Sequence, residues 1–119
     1  MEIQIIQVEG KNIAEIISDK IIISDTQDAL DLMGDAAWQG AVGVMLNARN
    51  FTPAFFDLKT GIAGDILQKF STYNMRLAII GDFLGVKSRS LNDFIFESNK
   101  YGRICFVSSR EEAIEKLSR

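Results

Sequence analysis

Apolar and polar positions alternate, or run unbroken, through the opening stretch of the chain and then change to a spacing near 3.6. Ile3 to Val8 reads as a strand, Glu9-Gly10-Lys11-Asn12 supplies turn chemistry, and Ile13 to Ile17 reads as a second strand completing a hairpin. Ser18-Asp19-Lys20 leads into a short β-branched run, Ile21 to Ile23, and the three segments are expected to share one sheet. From Ser24 the period changes. Ser24 or Asp25 can cap a helix whose stripe is Ala29, Leu30, Leu32, Met33, Ala36 and Ala37, with Gly40 as its stop. A strand around Val42 to Leu46 follows, then an irregular segment from Asn47 to Pro53.

Ile62, Ile66 and Phe70, with Ala63 and Leu67 beside them, fall on one face of the next helix, leaving Asp65, Gln68 and Lys69 to water. Arg76 to Ile80 is the clearest strand, unbroken in its apolar residues as a strand covered on both faces should be, and Gly81-Asp82 ends it. A loop from Phe83 to Lys87 leads to a helix from Ser90 to Lys100. Gly102 stops that helix before a short strand, Ile104 to Val107. Two overlapping capping boxes, Ser108 with Glu111 and Ser109 with Glu112, open a last helix burying Ala113, Ile114 and Leu117. Strands alternating with helices predict parallel crossovers, hence an α/β fold with a mixed β-sheet and helices packed mainly on one face, because so short a chain cannot cover both faces fully.

Composition narrows the class without naming a reaction. The 119 residues, 47% hydrophobic and 24% charged, suit one domain spanning residues 1–119. No apolar run approaches the roughly 20 residues of a membrane span, and the Met-Glu-Ile-Gln start carries no leader pattern, so a cytoplasmic protein is expected. The net charge is −3 with Lys and Arg scattered, which disfavours a nucleic-acid partner. No histidine exists, so Cys/His zinc sites, Ser-His-Asp and Cys-His nucleophile systems and histidine general bases are excluded. No cofactor or metal is expected: neither Gly-x-Gly-x-x-Gly nor a P-loop occurs after a strand, and Val8-Glu9-Gly10 offers one acid where a receiver domain needs a cluster. Cys105, the single cysteine, lies in the apolar run Ile104 to Val107 and is read as a buried small hydrophobe.

Polar chemistry concentrates at one corner. Phe55-Phe56-Asp57-Leu58-Lys59-Thr60-Gly61-Ile62-Ala63-Gly64 passes from an apolar segment into an amphipathic helix, and a helix that starts there presents unpaired N–H groups suited to a carboxylate, a phosphate or a partner's acceptors. Thr60 reads as an N-cap contributing about 1 kcal/mol. It is also the phosphoacceptor candidate, since a phosphoryl group adds a charge of about −1.5 to −2 at a helix start. Asp57 is a cap or turn former or a polar contact to a partner, and Lys59 a solvated charge or an aid in holding an anion. Gly61 and Gly64 are expected to let the helix approach the sheet closely. Phe51, Phe55, Phe56 and Phe83 gather aromatic area around the corner, mostly as core, with one or two left to anchor an interface. Asp82 lies at a strand end, where open α/β sheets usually place sites.

The corner, the basic residue opening Arg76-Leu77-Ala78-Ile79-Ile80-Gly81, the strand Ile104-Cys105-Phe106-Val107-Ser108-Ser109 and the terminal Arg110-Glu111-Glu112-Ala113-Ile114 resemble the STAS domain of bacterial anti-sigma-factor antagonists, in matching order over about residues 40 to 117. More closely, Phe55 to Gly64 with Leu67-Gln68-Lys69-Phe70 is similar to an uncharacterised bacterial family, domain-of-unknown-function family 4180, over nearly the whole chain. That family carries no assigned activity. In the antagonists the corner reads Asp-Ser-Ser-Gly and a partner kinase phosphorylates the serine beside glycine. The resemblance puts Thr60, before Gly61, in that place, with one residue more between Asp57 and Thr60 and lysine in place of the first serine.

The resemblance implies a non-catalytic regulatory or protein-interaction module, using Phe55, Phe56, Asp57, Lys59, Thr60, Gly61 and Gly64. Its expected partner is a protein, a regulatory kinase or a transcription-related protein, with homo-oligomers open. The alternative reading is a small-molecule or nucleotide sensor holding an anion at the helix start near Thr60 and Gly61. An enzyme is the least supported class: Asp57, Lys59 and Asp82 are acid/base groups without a nucleophile arrangement.

Overall fold

The computed structural model describes residues 1–119. Strands β1 (Glu2–Val8) and β2 (Lys11–Ile17) form the predicted hairpin, turning through Glu9 and Gly10 at φ 51° and 79°. Helix α1 (Thr26–Trp38) leads to β3 (Gly43–Asn47), and three 3-10 turns, Ala48–Asn50, Pro53–Phe56 and Leu58–Thr60, lead to α2 (Ile62–Thr72). Then come β4 (Arg76–Ile80), α3 (Arg89–Tyr101), β5 (Ile104–Val107) and α4 (Arg110–Leu117). Helices α1 and α4 start where their capping residues direct. Asp25 accepts the Asp28 N–H at 2.9 Å to start α1, and Ser109 accepts that of Glu112 at 3.1 Å to start α4. Glu112 reaches back to the Ser108 N–H at 3.0 Å, so the Ser109–Glu112 spacing supplies the cap and the Ser108–Glu111 box does not form.

The five strands lie in the order β1-β2-β3-β4-β5, the first pair antiparallel and the rest parallel. This order explains the layering. Each crossover from β2 to β5 moves one strand in the same direction, and right-handed connections that never reverse must leave α1, α2 and α3 on a single face. Ala14, Ile16, Val44, Leu46, Leu77, Ile79, Ile104 and Phe106 pack there against Ala29, Leu32 and Met33 of α1 and Ile66, Leu67 and Phe70 of α2, with Phe94 and Ile95 of α3 alongside. Helix α4 follows the last strand, is no crossover, and covers the other face, where Ala113 and Leu117 meet Ile13, Met45, Ala78, Cys105 and Val107. Helices on mainly one face therefore follow from strand order, and chain length is not the reason.

Ile21–Ile23 does not join the sheet as a strand. Only Ile23 forms an isolated bridge, to Phe51, because the segment is held by Asn50 and by the Thr52 N–H, which donates to the Ile23 carbonyl at 2.9 Å, and not by a strand. Asn50 is fully buried; its carbonyl accepts the N–H groups of Ile22 and Ile23 at 2.8 and 3.0 Å, and its Nδ2 donates to the carbonyls of Ser18 and Lys20 at 2.9 Å each. Its Oδ1 takes the Asn47 N–H at 3.0 Å. A polar side chain satisfied in this way substitutes for the ladder that a third strand would have formed.

Candidate functional site

The corner is exposed, and it is wound more tightly than a strand passing straight into a helix. Asp57 opens the Leu58–Thr60 turn, its Oδ1 accepting the Lys59 N–H at 3.2 Å. The Thr60 hydroxyl has the Ala54 and Asp57 carbonyls at 2.8 and 2.9 Å as acceptors for its one proton, while its oxygen accepts the Ile62 N–H at 3.3 Å. Thr60 therefore serves the helix start from one position further back than an N-cap; the cap residue is Gly61, left-handed at φ 76°. That conformation is what obliges glycine here. The Ala63 and Gly64 N–H groups meet no protein acceptor. Asp57, Lys59, Thr60, Gly61 and Gly64 are all exposed to solvent.

Two expectations change. Gly64 does not bring α2 close to the sheet: it faces outward, and a Cβ built on it meets nothing within 4 Å. It borders instead a groove of about 380 Å³ between α2 and α3, beside Leu67, Gln68, Phe94, Ser98 and Tyr101. Phe55 is 1% exposed and is core, and Phe56 is half-buried. Their rings join a row running Phe51, Phe55, Phe56, Phe83, Phe106 and Phe94, with consecutive centroids 4.5, 4.9, 6.4, 5.3 and 6.1 Å apart. Glycine is required at Gly81 because the row lies so close; a Cβ there would stand 3.0 Å from the Phe83 ring and 2.9 Å from Ala48. The fully exposed apolar side chain at this end is Leu84, next to Phe83.

Asp82 is exposed and turns its own loop, Oδ1 accepting the Leu84 N–H at 3.2 Å. The parallel strands run in unreversed order, so the sheet has no topological switch point at which a crevice would open. Asp82 is thus not gathered into a pocket with Asp57 and Lys59.

A feature missed in the sequence lies at the opposite end of the sheet. Lys11, Arg76, Arg103 and Arg119 line a groove of about 680 Å³ with Tyr73, Asn74 and Tyr101. Arg76 donates to the carbonyls of Leu117 and Arg119 at 3.4 and 2.8 Å and of Gly102 at 3.2 Å, tying together the C-terminal ends of α4 and α3, where cations complement the helix dipoles. The two side-chain ion pairs, Arg110 with Glu15 and Arg119 with Glu115, do not involve Lys11, Arg76 or Arg103; Lys11 donates to the main-chain oxygens of Ser118 and Arg119, and Arg103 to the Asn74 side chain. Positions 11, 76 and 103 carry no linear signal; strand order alone assembles them.

Burial raises the Cys105 thiol above its ordinary range, against the lowering pull of Lys116, Arg76 and Arg119. A buried thiol of that kind stays protonated and unreactive.

The architecture and its exposed corner define a mixed α/β domain in which polar groups gather on turns after β3 rather than in a sheet crevice. The chain belongs to the family described as Domain of unknown function (DUF4180), whose model matches residues 8–117. No curated protein and no solved structure matches it. No helix is long and apolar enough to cross a membrane.

Proposed function

We propose that the protein is a non-catalytic regulatory module of STAS-like fold that docks a partner protein through the corner after β3 and is switched by phosphorylation of Thr60. The observation that carries this reading is the Thr60 hydroxyl, exposed on a turn yet donating back into that turn. Transfer of a phosphoryl group from a nucleoside triphosphate replaces the proton that the Ala54 and Asp57 carbonyls accept, and sets anionic oxygens against those carbonyls. The turn opens. The new charge then finds the unmet N–H groups of Ala63 and Gly64 at the start of α2. Leu84 supplies the apolar anchor that Phe55, being buried, cannot. The order strand, strand, helix, strand, helix, strand, helix, strand, helix supports the STAS-like assignment, as does Arg76 opening β4.

Incubation with kinase-active lysate followed by mass spectrometry is expected to place phosphate on Thr60, and partner capture is expected to differ between Thr60→Ala and Thr60→Asp. An unmodified Thr60 together with identical capture by both variants removes the switch.

The unmet Gly64 N–H and the exposed Lys59, on the turn just before α2, favour a second reading, a sensor of a phosphorylated small molecule or nucleotide. A ligand at 100 times its dissociation constant stabilises by about 2.7 kcal/mol, so a thermal-shift screen of nucleotides and phosphorylated metabolites decides it. A flat screen excludes this role.

A further inference from the structure

Strand β1 has the residue pattern of a strand inside a sheet, yet it lies at an edge and pairs only with β2. Apolar residues occupy both its faces: Ile3 and Ile5 point to the side of the main core, Ile6 and Val8 to the side of α4. They are covered from one flank only, so Ile3, Ile6 and Val8 stay half-buried and Ile5 is 37% exposed. Edge strands are ordinarily protected by lysine, proline, a bulge or short length. β1 has none of these over seven residues, and its one charge, Glu2, is at its end. The opposite edge is short and blocked: β5 has four residues, and Asn99 bonds both main-chain groups of Phe106.

The hairpin fixes which groups are free. A two-residue turn with both φ positive closes on a pair, Val8 and Lys11, that exchanges both of its bonds, so even-numbered residues of β1 bond to β2. The N–H and C=O groups of Ile3, Ile5 and Gln7 therefore point away from the sheet.

We infer that two copies of this chain pair their β1 strands antiparallel about a twofold axis through Ile5, merging two five-stranded sheets into one. This register overlaps the whole of Glu2–Val8. It sets Ile5 opposite Ile5 and Ile3 opposite Gln7, using every free main-chain group in about six hydrogen bonds. Glu2 falls opposite Val8, so the charges do not meet. A closed twofold pair needs one surface complementary to itself, and the segment Glu-Ile-Gln-Ile-Ile-Gln-Val provides it. The inference stands on the β1 edge alone and is independent of the corner after β3.

Amide exchange of the wild-type protein followed by NMR tests the register directly. At NMR concentration the Ile3, Ile5 and Gln7 amides are expected to be protected together with Gln4 and Ile6, and to lose that protection on dilution while Gln4 and Ile6 keep it. Ile5→Lys sets two like charges face to face across the axis. Ile5→Pro removes only an N–H that points outward, so it leaves the hairpin ladder intact. In both variants the mass by light scattering is expected to halve, with the far-ultraviolet circular dichroism of the wild type retained; Thr60→Ala is expected to stay dimeric. Wild-type protein of single-chain mass whose Ile3, Ile5 and Gln7 amides exchange as fast as a loop overturns the inference. So does a dimer unchanged in both Ile5 variants, since another surface would then hold it.

Discussion

The side chain of Asn99 stands in for a sixth strand beside Phe106: its Oδ1 accepts the Phe106 N–H at 2.7 Å, and its Nδ2 donates to the Phe106 carbonyl at 3.2 Å. A carboxamide can do both at once, so α3 closes the β5 edge with one residue. Asn99→Leu leaves both groups unpaired and is expected to lower stability by about 1–3 kcal/mol in urea unfolding, with a rise in aggregation as that edge opens. Asn99→Asp keeps the acceptor and sets a charged oxygen against the Phe106 carbonyl, so it should recover little of the loss.

Asn50 holds the segment Ser18 to Ile23 that never becomes a strand. Asn50→Asp keeps its volume but cannot donate to the Ser18 and Lys20 carbonyls, and it buries a charge. A loss of about 3 kcal/mol or more is expected in thermal or denaturant unfolding. Amides of Ile22 and Ile23 are expected to lose exchange protection first.

At Gly64 the direction reverses. A Cβ there meets open space and the residue is helical, so Gly64→Ala is expected to stabilise by about 0.5–1 kcal/mol, read as a higher urea midpoint at unchanged slope. A destabilised variant would mean that α2 packs more tightly there than its exposed surface shows.

Cys105 gives a pH dependence. Burial raises the thiol in the folded chain above its ordinary value, so the unfolded chain loses its proton first. Well below the unfolded value of about 8.5 both states hold the proton and stability is unaffected; as pH rises through it toward the folded value, the contribution is lost. The expected result is a urea midpoint that falls above pH 9 more steeply in wild type than in Cys105→Ala, with slow maleimide labelling at neutral pH.

Local pattern alone was enough for β4, β5 and the caps of α1 and α4. An unbroken run such as Leu77 to Ile80 has only one stable place, between two covered faces, and Asp25 or Ser109 satisfies backbone donors a few residues away. The corner was legible for the same reason, since Asp57, Thr60 and Gly61 act on neighbours within a turn of themselves. Tertiary structure decided what depends on distant partners. Ile21–Ile23 is β-branched and strand-like by composition, yet Asn50, far along the chain, takes its main-chain donors. Gly64 was open or packed only according to which side of α2 met the sheet, and Phe55 became core because a row of rings had to fill the end of the sheet. Periodicity records which residues avoid water, while the identity of the group across the gap is set by the order in which strands assemble, and that order brought Lys11, Arg76 and Arg103 to one groove.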